Sequence, residues 1–207
     1  MRSVDVIIVG ASLSAAAAAK RLVDAGLETV ILERKELPRH KICSGILSPR
    51  GHRFLLENFG PLPREALHEP TSCRGVTFHF PSGVSLPMDF FGGTTPHLHR
   101  KFSDYWAITR SGAQVHDQTS FAGLSDNGDH VIVTARKNGE TLQYRARQVI
   151  GADGPSSLVI RSIRNTFISG FIPAWATTPG ATPVMGARSS VWASSAATIS
   201  PRSMRTW

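Results

Sequence analysis

The chain has 207 residues, 41% of them apolar, with a mean hydropathy of −0.08, which suits one packed domain or slightly more and excludes a disordered or polytopic membrane chain. Its formal charge of +8 comes from 23 basic and 15 acidic residues. Basic and acidic residues alternate without a long Lys/Arg run, so nucleic acid is not expected as a partner. The two cysteines, Cys43 and Cys73, form neither a disulfide framework nor a zinc motif, and no metal site is expected; a reduced, cytoplasmic protein is.

The first element is VDVIIV, Val4 to Val9, a continuous apolar run rich in β-branched residues, which predicts a strand buried on both faces in a parallel sheet. Met1-Arg2 and the apolar run also mimic a signal peptide, but Asp5 within it and the break at Gly10 favour a strand and a helix. The alanine-rich stretch after Gly10 predicts a helix from about Ser12 to Ala25, closed by Gly26. LETVILE then predicts a second strand ending in Glu33, completing a right-handed βαβ unit. Residues 34 to 74 read as a connecting region with one helix, Arg50 to Asn58.

From Gly75 the period changes to two, and GVTFHF, Pro81-Ser82-Gly83 and VSLPM predict a hairpin. Residues 97 to 111 carry a helical apolar stripe closed by Gly112, and His97 and His99 on such a helix would diverge. QVHDQTSFAGL, HVIVTAR and TLQYRA predict a three-stranded antiparallel meander with turns at Asp126-Asn127-Gly128 and Asn138-Gly139. RQVIGADG returns an apolar strand to the first sheet. Residues 165 to 207 hold no acid, three of the four tryptophans and no sustained period. They read either as an irregular, solvated stretch or as the product of a shifted reading frame.

The chemistry sits at the turns. Gly10-Ala11-Ser12-Leu13-Ser14-Ala15 occupies the frame of G-x-G-x-x-G between strand and helix, where free N–H groups and the helix end attract a pyrophosphate. Ser12 replaces the second glycine and Ala15 the third. Glu33, 23 residues beyond Gly10, stands where a carboxylate accepts hydrogen bonds from an adenosine ribose and repels a 2′-phosphate, although Arg34 is adjacent. FAD or NAD therefore suits this first site better than NADP.

Together with PRHKICSG (Pro38 to Gly45), Arg100 to Asp104 and GADGPSS (Gly151 to Ser157), these motifs give a chain that resembles the FAD-dependent flavoprotein family of geranylgeranyl reductases and aromatic-ring hydroxylases. The resemblance covers residues 3 to about 164. It implies an α/β fold: a Rossmann-like FAD-binding domain whose parallel sheet starts as βαβ, plus an antiparallel meander, incomplete at the C-terminus. Residues 1–164 would form a partial FAD/NAD(P)-binding domain, with FAD as cofactor and NADPH or NADH as electron donor.

By resemblance Gly10, Ser12, Leu13, Ser14 and Ala15 would line the pyrophosphate and Glu33, with Arg34 beside it, the ribose. Arg100 would reach the FAD diphosphate, Cys43 would lie near the isoalloxazine ring, and Asp153 and Gly154 would touch FAD and the nicotinamide nucleotide. No catalytic residue is assigned. The implied substrate is a small molecule or prenyl lipid, reached with at most peripheral membrane contact. The alternatives are an aromatic hydroxylase or monooxygenase, or a non-catalytic fragment, because the family's later G-D-x-x-x-x-x-P motif has no counterpart after Arg164.

Overall fold

The computed structural model describes residues 1–89, 93–166, 181–185 and 190–194. The chain opens with β1 (Arg2–Val9), α1 (Leu13–Asp24) and β2 (Thr29–Leu32). There follow α2 (Pro49–Phe59), a 3-10 turn at Arg64–Ala66, β3 (Leu67–Cys73), β4 (Gly75–His79), β5 (Ser85–Asp89), β6 (Thr95–Leu98) and α3 (Arg100–Thr109). The remainder comprises β7 (Gln114–His116), β8 (Ser120–Asp126), β9 (Val131–Lys137), β10 (Glu140–Gly151), α4 (Leu158–Thr166), β11 (Ala181–Met185) and β12 (Ser190–Ser194). Two compact units result: residues 1–37 with 108–207, and residues 38–107.

In the first unit β1 lies between β10 and β2, and β7 flanks β2, all four parallel. The apolar runs explain this placement, since Val6, Ile7, Ile8 and Val9 and the whole of β2 are buried. α1 crosses between β1 and β2 as expected, with Ser12 as N-cap and Gly26 at φ +80° just past its end. β8, β9 and β10 form the antiparallel meander, and Asn138 and Gly139 both take positive φ in its second turn.

Two details differ from the expectation. QVH is a separate strand, β7, that joins the parallel sheet. TLQYRA and RQVIG are one continuous strand, because Arg145 and Arg147 point outward while Tyr144 and Ala146 are buried, so the alternation never breaks. The core joins Ile7, Val30 and Val149 to Phe121, Val131 and Val133 of the meander and to Val159 and Ile163 of α4. A helix at Leu158–Thr166 is not among the expected elements. Beyond residue 165, where no period is visible, β12 pairs parallel with β10, and β11 antiparallel with β12; the rest of that stretch lies outside the described residues.

In the second unit α2 starts at Ser48, whose hydroxyl accepts the Gly51 N–H at 3.1 Å. Its buried Phe59 meets Trp106 of α3, with ring centroids 5.9 Å apart. β4 and β5 form the expected hairpin around Pro81-Ser82-Gly83. Two expectations are corrected. Residues 67–73, read as connecting, form β3 and pair with β6. His97 lies on β6 rather than on a helix; with the extended period of two, His97 and His99 both stack on His68, with centroids 5.0 and 4.3 Å away.

Candidate functional site

The turn after β1 is built by close backbone approach. Gly10 has φ +98°, and a Cβ there would stand 2.5 Å from the Ala152 carbonyl oxygen and 3.0 Å from the Asp153 Cα. Only glycine lets the β1 and β10 ends meet in this way, held by the Ala152 N–H donating to the Val9 carbonyl at 2.8 Å. The first turn of α1 carries no acidic residue, and its cap residue Ser12 makes no side-chain cap bond. Ser12 is buried, and its hydroxyl pairs with that of Ser14 at 2.8 Å. The N–H groups opening α1 are thus left for an anion rather than taken by a cap.

Glu33 is 4% exposed at the end of β2. One carboxylate oxygen accepts the Ala11 N–H at 3.0 Å and the other the Lys35 N–H at 3.0 Å. Its own backbone is held by His116 and Thr119. These two backbone bonds fix the carboxylate at the end of β2. Arg34 beside it is exposed.

On the β10 side, one Asp153 oxygen accepts the N–H groups of Leu158 at 2.7 Å and Val159 at 3.4 Å, which ties the loop to the start of α4. Its other oxygen, Oδ1, is buried without a hydrogen-bond partner, an orphan that a bound hydroxyl or water would satisfy. Gly154 follows at φ +89°. Seven expected residues, Gly10, Ser12, Leu13, Ser14, Ala15, Asp153 and Gly154, thus lie around the adjacent ends of β1 and β10, with Glu33 bonded to the same turn through Ala11. The uncapped helix end, the glycine cradle, the fixed carboxylate and the orphaned Asp153 oxygen suit a dinucleotide such as FAD.

Cys43 and Arg100 come together within residues 38–107. Gly45 takes φ +75° and is strapped to β6 by the Leu98 N–H donating to its carbonyl at 2.8 Å, which sets the loop that presents Cys43. Arg100 grips Asp104 through two bonds of 2.8 and 3.0 Å and also donates to Cys43. Arg39 stands 3.6 Å from the same carboxylate, which is 1% exposed. Asp104 was singled out only as the end of the Arg100 motif; Arg39 was not, because nothing local marks a residue sixty-odd positions away as a partner.

The Cys43 thiol is exposed and held below its ordinary value, first by the Gly45 N–H, against partial desolvation, and then by Arg100 and Lys41. Alkylation of Cys43 near neutral pH is therefore expected to run faster than that of a free thiol. Arg100→Met should slow it by roughly two- to fivefold, read by mass spectrometry of iodoacetamide-labelled peptides.

A family model described as an FAD binding domain matches residues 105–194, reaching past the point at which the motifs end. The digeranylgeranylglycerophospholipid reductase 1 of Methanothermobacter thermautotrophicus is 30% identical over 168 residues, covering 76% of this chain and 41% of that protein. The geranylgeranyl diphosphate reductase of Rhodobacter capsulatus is 29% identical over 168 residues, covering 79% of this chain and 41% of the relative. A solved structure, the geranylgeranyl bacteriochlorophyll reductase-like protein of Thermoplasma acidophilum, superposes with a TM-score of 0.63 at 24% identity, over 74% of this chain and 40% of that one. The chain spans about two fifths of the length of the curated relatives it matches. Among the described residues no helix is long and apolar enough to cross a membrane. With its FAD-binding-domain match over residues 105–194 and its glycine-turn cradle, the chain is similar to the FAD-dependent flavoproteins that include the geranylgeranyl reductases.

Proposed function

We propose that this chain forms the dinucleotide-binding part of an FAD-dependent oxidoreductase that draws on NADPH or NADH and reduces carbon–carbon double bonds of a prenyl lipid. The observation that carries the reading is the Gly10 turn packed on Ala152 with Glu33 fixed beside it; the prenyl-lipid class is taken from the names of the curated relatives. The N–H groups of Leu13, Ser14 and Ala15 hold the diphosphate, and the fixed Glu33 carboxylate accepts the ribose hydroxyls. Asp153 accepts a hydroxyl at its second oxygen, and Gly154 lets the loop approach. Cys43 and Arg100 belong to the same proposal as cofactor contacts. Bound FAD supplies the hydride relay, while the protein supplies orientation and electrostatics.

Purified protein is expected to be yellow and to release FAD on acid treatment, and its visible band to bleach under anaerobic NADPH or NADH. Incubation with a polyprenyl lipid should add one hydrogen molecule's mass per reduced double bond. Protein that stays colourless after addition of FAD overturns the cofactor reading. Flavin that bleaches without changing a prenyl lipid overturns the substrate class, and oxygen consumption with a hydroxylated aromatic product replaces it.

A further inference from the structure

A second hollow is walled by the start of β1 and reaches His116 at the end of β7, next to Glu33. It has a volume of about 570 Å³ and is lined by Arg2, His116, Thr119, Lys137, Thr141 and Tyr144, among others. The sheet assembles it from distant segments: Arg2 lies beside Tyr144 in the parallel β1–β10 register, His116 ends β7, and Lys137 ends β9. His116 Nδ1 and the Tyr144 hydroxyl are 2.8 Å apart, and Tyr144 is 4% exposed. The Lys137 ammonium donates to the Asp117 carbonyl at 3.2 Å.

The charge in this hollow is unbalanced. Arg2 on β1 and Lys137 on β9 both act on His116 and lower its pKa, after burial as the larger cause; burial likewise raises Tyr144, with Arg2 opposing. Two acids stand nearby. Glu28 takes one Arg2 N–H at 2.9 Å, and the Asp117 carboxylate accepts the Leu37 N–H at 3.1 Å. Neither acid lines the hollow. A guanidinium has five N–H donors and an ammonium three, so both cations retain donors beyond these bonds.

We propose that this hollow binds a phosphate group, free or as a phosphate monoester, between Arg2, Lys137 and the His116–Tyr144 pair. The pair works as a proton-coupled donor set. Protonated His116 donates Nδ1–H to the phenol oxygen, which turns the Tyr144 O–H toward the anion and adds Nε2–H as a further donor. Neutral His116 accepts the phenol proton at Nδ1, and the hollow loses the Tyr144 donor. The proton that His116 gains or loses is exchanged with solvent, and no bond to phosphorus forms or breaks. By linkage, phosphate raises the pKa of His116, and affinity falls as pH rises through it. Gly10, Glu33 and Asp153 do not line the hollow, although the His116 carbonyl and the Thr119 N–H also hold the Glu33 backbone.

The test follows the His116 ring proton of the full chain by NMR in chloride buffer as inorganic phosphate, glycerol 3-phosphate or acetate is added. Both phosphates are expected to give saturable shifts with a Kd of roughly 1 mM, about −4 kcal/mol. Lys137→Gln should weaken binding about tenfold, with an unchanged melting temperature as the control for folding. Tyr144→Phe should flatten the pH dependence of affinity. Tighter binding of glycerol 3-phosphate identifies a monoester ligand, and equal binding identifies free phosphate. An unmoved His116 signal, equal shifts by acetate, or unaltered binding in Lys137→Gln overturns the proposal.

Discussion

Gly10→Ala is expected to lower the melting temperature by roughly 6–12 °C and, on the cofactor reading, to leave a protein that no longer retains FAD. Two costs combine. An L-residue at φ +98° pays about 1–2 kcal/mol in backbone energy. Its Cβ would also stand 2.5 Å from the Ala152 carbonyl oxygen, a backbone atom held in the β1–β10 register, and overpacking of that kind costs about 1–3 kcal/mol. The sum is about 3 kcal/mol, and a chain of this size moves roughly 2–4 °C per kcal/mol. Gly26→Ala separates the two costs, since Gly26 shares the positive φ, at +80°, but a Cβ there meets nothing within 4 Å. It should lose only about 1 kcal/mol and keep its flavin. Thermal unfolding with visible absorbance reads both quantities, and equal losses in the two variants would show that the approach to Ala152 is not what limits this turn.

Asp104→Ala is expected to destabilise the protein by about 3–5 kcal/mol in urea unfolding. The carboxylate is 1% exposed and holds Arg100 in a two-bond fork with Arg39 beside it, so its loss leaves guanidinium charge buried against Lys41 without a counter-ion. The pair is not itself a large net gain: burial pushes the Asp104 carboxyl above its ordinary value, and Arg100 and Arg39 recover only part. Just above the ordinary aspartate pKa, therefore, the folded chain keeps a proton that the unfolded chain has lost, and Asp104's contribution to stability falls as pH rises through the folded value. Asp104→Asn should remove that slope. The double variant Arg100→Met, Asp104→Leu should recover part of the loss, because it removes Arg100 together with its counter-ion while Arg39 still loses the Asp104 contact. A double variant as unstable as Asp104→Ala would mean that the fork's shape, not its charge balance, holds this part of the chain.

The elements legible in the sequence were those whose signal is local. The apolar runs of β1 and β2, the alanines of α1 with Gly26 behind them, and the Asn138-Gly139 turn each carry their reason within a few residues. Failures occurred where a partner decides the outcome. β3 is polar and mostly half-exposed, so no hydrophobic period marks it, and it is a strand only because β6 lies alongside. His97 sits beside a helical stripe, yet pairing with β3 extends it and turns both imidazoles toward His68. β12 has only a three-residue apolar centre, and its neighbour β10 supplies the register.

The βαβ opening, the placement of Gly10 and Glu33 at strand ends and the resemblance to FAD-dependent flavoproteins are written in contiguous residues, as short apolar periods, glycine positions and motif spacing. Long-range packing, in contrast, brings Gly10 against the Ala152 carbonyl, gathers Arg39 and Arg100 on Asp104 beside Cys43, and sets Arg2, His116, Lys137 and Tyr144 around one hollow. Those juxtapositions join residues as far apart in sequence as Gly10 and Ala152 or Arg2 and Tyr144. Sheet pairing and burial fix them, and no local pattern encodes which distant side chain fills the space or balances the charge.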